Sequence, residues 1–193
     1  MPGVIVGCIG QQRSGKTCIA YKICRAFKDR YPDLRVYTNL YTTDKDFTYV
    51  NRVADLPLDL KPKIILLDEV YNGCDAQDYK KLKEISIFIN TIGKQNALLL
   101  YTTIDESMVY NRIRNQTSFM ILAKGSPDRI YYRICNCTDL TYHDFVCKKD
   151  AAFFADVHYD TQFIPLDFNW DMSSWRFKLQ RFYKDNYGIN VTF

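Results

Sequence analysis

The chain has 193 residues, 47% of them apolar and 25% charged, which suits one globular domain and excludes wholesale disorder and collagen-like repeats. Its formal charge of +4 is mild: it permits an acidic polymer as partner without announcing one. Seven irregularly spaced cysteines with no C-x-x-C pair read as reduced thiols and not as a disulfide framework.

Taken in order, residues 4–9 form a short apolar, β-branched run that predicts a buried strand. It lacks the basic flank and cleavage site of a signal peptide, and no later run approaches the ~20 apolar residues that span a bilayer. From Lys16 the period changes. Ile19, Ala20, Ile23, Ala26 and Phe27 recur at three- and four-residue spacing, with Lys22, Arg25, Lys28 and Arg30 opposite, which predicts an amphipathic helix ending before Pro32. Residues 35–38 predict a second strand. The stretch 41–63 reads as irregular, broken by Pro57 and Pro62.

Ile64, Ile65, Leu66 and Leu67 make a fully apolar strand closed by Asp68 and Glu69. A helix follows over 77–91, with Leu82, Ile85 and Ile89 as its apolar stripe, then a strand over 97–101, a short helix over 106–115 and a strand over 119–122. Gly125, Ser126, Pro127 and Asp128 are turn chemistry leading to a strand over 130–134, so the late part reads as antiparallel. A last helix over 174–185 carries Trp175, Leu179, Phe182 and Tyr183 among Arg176, Lys178, Arg181 and Lys184. It can grip phosphates, dock a neighbouring subunit, or pack its aromatics on the core while its basic residues reach outward. The alternation predicts an α/β fold: three layers around a mostly parallel central sheet, a late antiparallel extension and a C-terminal helix. The expected organisation is a core over 1–165 and a basic, aromatic appendage over 166–193.

Gly10, Gln11, Gln12, Arg13, Ser14, Gly15, Lys16 and Thr17 read G-x-x-x-x-G-K-T, a phosphate-binding loop. The glycines let the backbone turn tightly and bring its N–H groups to phosphate oxygens; Lys16 places a charge at the β- and γ-phosphates, and the Thr17 hydroxyl ligates Mg²⁺. Cys18 completes the stretch expected to line the nucleotide. The four fixed positions match by chance about once in a hundred such chains. A strand running in and a helix running out make coincidence the weaker explanation.

Asp68 at a strand end suits the Mg²⁺ shell, and Glu69 beside it can activate the attacking water. A second acid at this place separates nucleotide hydrolases from kinases; in the hydrolases that carry it a strand is inserted between the loop strand and the acidic strand, and by that resemblance the strand at 97–101 would fill the place, a RecA-like (ASCE) order. At the end of that inserted strand Thr102 or Thr103 can touch the γ-phosphate or simply cap the strand.

This ordered set resembles the FtsK–HerA branch of P-loop ATPases, and within it the small genome-packaging ATPases of membrane-containing archaeal and bacterial viruses. The resemblance covers about residues 3–135: the loop at 10–17, the acidic strand at 64–69, the polar turn Gly93, Lys94, Gln95 and Asn96, the strand at 97–103, and Ile113, Arg114, Asn115 and Gln116 before the next strand. The chain departs from the family by carrying Thr103 where Gln is common and by lacking an arginine before that strand. What the resemblance implies is an ATP- and Mg²⁺-dependent homo-oligomeric ring that pumps double-stranded DNA into a capsid, working in the host cytoplasm or at the packaging vertex beside capsid or portal proteins. In such a ring Arg112 or Arg114 can act in trans on a neighbour's γ-phosphate; alone, each reads more readily as part of a solvated basic face. Two other classes stay open from the residues: a small-molecule or nucleotide kinase, and a loader or initiator-like ATPase that switches assembly state with little turnover. Cys135, Cys137, His143 and Cys147 offer four zinc-type ligands, without the usual C-x₂₋₄-C turn.

Overall fold

A computed structural model describes residues 3–70 and 79–192, with the side chains of 79–83 outside the description. Eight strands among these residues form one sheet in the order β3-β2-β4-β5-β1-β6-β7-β8. The parallel part comprises β1 (Val4–Ile9), β2 (Arg35–Thr38), β3 (Phe47–Tyr49), β4 (Lys63–Leu67), β5 (Ala97–Thr103) and β6 (Phe119–Gly125). β7 (Arg129–Asn136) and β8 (Tyr142–Lys148) add antiparallel to β6. The inserted strand is where the resemblance placed it: β5 lies between β1 and β4, pairing Cys8 with Thr102 and Leu67 with Tyr101.

The central strands are continuous apolar runs because both faces are covered. On one face α1 (Lys16–Arg30) buries Ala20, Tyr21 and Cys24 against Val6, Cys8, Ile64 and Leu66. It stops where Pro32 forbids another turn, and Lys28 Nζ donates to the carbonyls of Pro32 and Leu34 beyond its end. The other face packs Ile5, Ile65, Leu67, Leu99 and Tyr101 under α2 (Tyr79–Thr91) and α3 (Asn111–Asn115). Ile85 and Ile89 are buried there as expected; the helix start at Gln77 and the Leu82 side chain lie outside the described residues.

Three expectations need correction. The stretch 41–63 is not all irregular: β3 pairs parallel with β2 at its edge and buries Phe47. The helix over 106–115 is two pieces, a 3₁₀ turn at Glu106–Met108 and α3. Asp105 Oδ1 accepts from Ser107 N (2.7 Å), and Val109 is extended so that its side chain reaches the core, which breaks the helix between them. Nor does packing divide at residue 165. Phe168, Trp170, Met172 and Trp175 are buried in the same cluster as Phe88 and Ile92, and α5 (Trp175–Tyr187) joins that cluster through Trp175 and the half-buried Leu179. Of the options for the last helix, packing on the core is the one realised at Trp175, with Leu179 beside it; Phe168, Trp170 and Met172 precede the helix and so lie outside its stripe.

Between β8 and the mooring at Trp170 the chain crosses the carboxyl ends of the strands as a strap. A one-turn helix, α4 (Ala151–Phe154), is capped by Asp150, whose Oδ1 accepts from Phe153 N (2.9 Å). Beyond it Tyr159 makes an antiparallel bridge with Thr42.

Candidate functional site

The loop between β1 and α1 sits at the carboxyl end of the sheet, where open α/β folds present their ligands. Its conformation follows from its glycines. Gly15 has φ 92°, and a Cβ there would meet Ile130 and the Tyr132 hydroxyl at 2.7 Å. A Cβ on Gly10 would strike the Ala123 carbonyl oxygen at 2.3 Å. Gly10 N donates to Thr103 O (3.2 Å) and Ser14 N to Gln11 O (3.2 Å), while Tyr132 OH donates to Gly15 O (3.0 Å). Arg13 is also left-handed, at φ 61°. The first amides of α1 therefore face a cleft with no carbonyl of their own helix to take them, an anion site by construction.

The cleft measures about 430 Å³, and Gln12, Arg13, Gly15, Lys16, Thr17 and Cys18 form one wall of it. Gly10 and Gln11 instead line a separate hollow against β6–β8, and Ser14 points inward, its hydroxyl finding no hydrogen-bond partner among the described residues. Lys16 is buried, so its ammonium is held in the site and not in bulk solvent.

Across from the loop, Thr17 Oγ1 donates to Asp68 Oδ1 (2.8 Å), and Thr102 Oγ1 donates to the same oxygen (2.7 Å). Asn39, just past β2, clamps the acidic turn from the other side: its Oδ1 accepts from Asp68 N (2.7 Å) and its Nδ2 donates to Asp68 O (3.0 Å). Burial pushes the Asp68 carboxyl above the usual carboxylate range; the hydroxyls of Thr102 and Thr17 pull it back, Glu69 adds to the rise and Lys16 opposes it. A cation beside it reverses that logic. The donor set, a threonine hydroxyl and carboxylates with no sulfur or imidazole, fits a hard ion of the Mg²⁺ type, which Thr17 and Asp68 would hold; bound there it would neutralise phosphate charge. Glu69 also lines the cleft, at φ 50°, with its N–H donating to Thr102 Oγ1 (2.9 Å). A left-handed glutamate is costly backbone, and it turns the chain sharply at the strand end.

The strand-end contact belongs to Thr102 and not to Thr103. Side chains alternate along β5: both threonines are fully buried, but Thr102 donates to Asp68 whereas Thr103 donates to Asp105 O (2.8 Å). Thr103 reaches the loop only through its carbonyl. Arg112 and Arg114 lie on α3, outside the cleft of their own chain, Arg112 exposed and Arg114 donating to Asn111 Oδ1 (2.7 Å). The zinc constellation does not assemble. In the β7–β8 ladder Cys147 faces Ile130 while His143 faces Ile134 and Cys135 faces Tyr142, which strings these three along the ribbon with Cys137 just past the end of β7, and no metal-type cluster occurs among the described residues.

Sequence reasoning missed Asn39 and the whole far wall. Asn39 had a usable signal, an amide directly after a strand that neighbours the acidic one. The far wall did not: it is the strap, which contributes Phe154, Tyr159, Asp160, Thr161, Phe163 and Pro165, with Lys149 at its root. Thr43 N donates to His158 O (3.0 Å), Thr42 Oγ1 to the same oxygen (2.8 Å) and Asp160 N to Tyr41 O (2.9 Å), so the strap is fixed over the cleft by backbone far away in sequence.

No family model matches this sequence, and no curated protein matches it. Its fold does have solved counterparts. The N-terminal domain of zonular occludens toxin from Neisseria meningitidis superposes with a TM-score of 0.59 at 16% identity, over 83% of this chain and 100% of that one. Flagellar accessory protein FlaH from Methanocaldococcus jannaschii gives 0.54 at 12% identity, over 84% and 90%. B204, the DNA-packaging ATPase of Sulfolobus turreted icosahedral virus, gives 0.50 at 14% identity, over 74% and 97%. What these likenesses share with this chain is the fold, an α/β arrangement around a mostly parallel sheet.

Proposed function

We propose that this protein is an Mg²⁺-dependent ATPase whose hydrolysis drives movement of double-stranded DNA, in the manner of a viral genome-packaging motor. The observation that carries the nucleotide part is the Thr17–Asp68 hydrogen bond at 2.8 Å, which joins the phosphate loop to the acidic strand with Lys16 buried beside it. Phosphoryl transfer is mostly positioning and charge stabilisation, and this cleft supplies both. Backbone amides and Lys16 bind and orient the polyphosphate. Thr17 and Asp68 set the metal side, and Glu69 takes the proton of the attacking water as base. Thr102 ties Asp68 and the Glu69 backbone together, so the two acids keep their spacing.

The motor part is supported by the likeness to the B204 packaging ATPase, whose counterpart from Sulfolobus turreted icosahedral virus 2 was solved with ATP-γS, and by the position of Arg112 and Arg114 outside the cleft of their own chain, which leaves them to a neighbouring copy's γ-phosphate. A ring assembled on DNA joins these features. The test is ATP turnover with and without double-stranded DNA, measured together with native mass. Turnover stimulated by DNA in a multimeric species is the expected result. An inert monomer, or one that passes phosphate to a small acceptor, would replace the motor reading.

A further inference from the structure

The phosphate loop accounts for only one wall of the cleft; the opposite wall is aromatic. Phe154, Tyr159 and Phe163 all line it, with Pro165 beside them. Two of these rings are already engaged. Tyr159 packs on Tyr21 (centroids 5.4 Å), and Phe163 lies between Tyr41 (5.6 Å) and Tyr49 (6.4 Å). Phe154 differs. Among the described residues its ring packs against one other, Phe153, met edge-on at 5.0 Å, and it remains 45% exposed although it lines the cleft. Phe153 is itself held: Lys22 of α1 sits over its ring at 5.0 Å, and the Asp150 cap holds its N–H. An exposed phenyl face on a braced turn, across from a polyphosphate loop, is what an aromatic ligand needs and what a bare phosphate does not.

Resting on the nucleotide reading above, we propose that the strap forms the nucleobase half of the site. Phe154 is its stacking platform, Asp160 and Thr161 present polar groups at the base or ribose edge, and the preferred ligand is a purine nucleoside triphosphate. The purine preference follows from the wall itself, since a larger π-surface covers more of an exposed ring. The Asp160 carboxylate already takes one N–H, from Gln162 (2.8 Å), and as an acceptor it suits the amino-bearing edge of a base. The strap thereby makes the cleft selective for a whole nucleotide, a property that the loop by itself lacks.

The probes are ATP, CTP and inorganic tripolyphosphate, titrated with Mg²⁺ against the full chain. Wild type should bind ATP more tightly than CTP, and CTP more tightly than tripolyphosphate. Removing one stacking ring weakens a base by roughly 5- to 100-fold. Phe154→Ala should therefore lose about tenfold for ATP and leave tripolyphosphate unchanged, which also certifies the fold. Phe154→Leu keeps apolar volume without a π-face and should resemble Phe154→Ala, while Phe154→Trp should match or exceed wild type. The proposal is overturned if wild type holds ATP no better than tripolyphosphate, or if Phe154→Leu binds ATP as wild type does. Failure of the underlying nucleotide reading looks different: Lys16→Ala would leave tripolyphosphate binding intact, or wild type would bind neither ligand.

Discussion

The two walls of the cleft are built on different principles. The phosphate wall comes from two short segments, residues 12–18 without the inward-pointing Ser14, and Asp68 with Glu69, each following closely on a buried strand. Its chemistry is mostly backbone: a glycine-allowed turn, the amides at a helix start, and a carboxylate met by two hydroxyls. The aromatic wall is an irregular strap with one helical turn, held to residues 41–43 by backbone hydrogen bonds and moored by Phe168, Trp170 and Trp175 in the core on the other face of the sheet. One wall is therefore a local property of its sequence. The other exists only once the sheet has formed, and it should fail by losing its anchor and not by losing chemistry.

That contrast can be broken most severely from the phosphate side. Lys16→Ala should lower ATP turnover by at least ~10²-fold and weaken binding of ATP and tripolyphosphate alike, because a buried positive charge leaves the phosphate path; steady-state turnover and calorimetry check it. Glu69→Gln separates chemistry from binding on the same wall: affinity for ATP should be kept while turnover falls by ~10²–10⁴-fold. Turnover at the wild-type rate would remove Glu69 from the role of base.

The strap side is best attacked at its mooring. Trp170 is 1% exposed, with Phe168 and Phe88 at 5.0 and 5.8 Å, so Trp170→Ala should cost about 3–5 kcal/mol in urea unfolding. Trp170→Phe should cost much less, because the indole N–H finds no hydrogen-bond partner among the described residues and little polar bonding is lost with it. A cheap Trp170→Ala would mean that the strap and α5 are an appendage after all.

The smallest effect sharpens the electrostatics. Asp68 is held above its ordinary value chiefly by burial, so the folded protein binds this proton more tightly than the unfolded chain does. Its contribution to stability is intact below the unfolded value and is lost as pH rises through the raised folded value. Without metal, wild type should therefore lose stability over that window, and Asp68→Asn should not, melting higher at neutral pH in a chelator. The asparagine oxygen can still accept from Thr17 and Thr102. With Mg²⁺ and nucleotide the order should reverse, since only wild type keeps the charged ligand.

Legibility tracked locality. β1, α1, β2 and the acidic end of β4 were readable because a period, a proline or a run of β-branched residues marks each within its own window. The insertion of β5 between β1 and β4 was expected only from the likeness of the Asp68–Glu69 pair to that of P-loop hydrolases, since two acids at a strand end do not by themselves dictate strand order. β3 escaped because three residues carry no period, and the helix expected across 106–115 broke because Asp105 and the buried Val109 outweighed its propensity. Between Thr102 and Thr103 sequence offered no choice. The pleat decided, turning one hydroxyl to Asp68 and the other to Asp105 O.

The amino-acid sequence by itself determined the anion-binding loop, the acidic pair and the parallel α/β core, because glycine sterics, helix-start amides and apolar periodicity act over a few residues. Only the tertiary structure decided that the chain after β8 returns across the cleft, that Asn39 clamps the acidic turn, and that the four candidate zinc ligands do not cluster. Those outcomes depend on which distant backbone groups satisfy one another once the sheet is assembled, and no local window contains both partners.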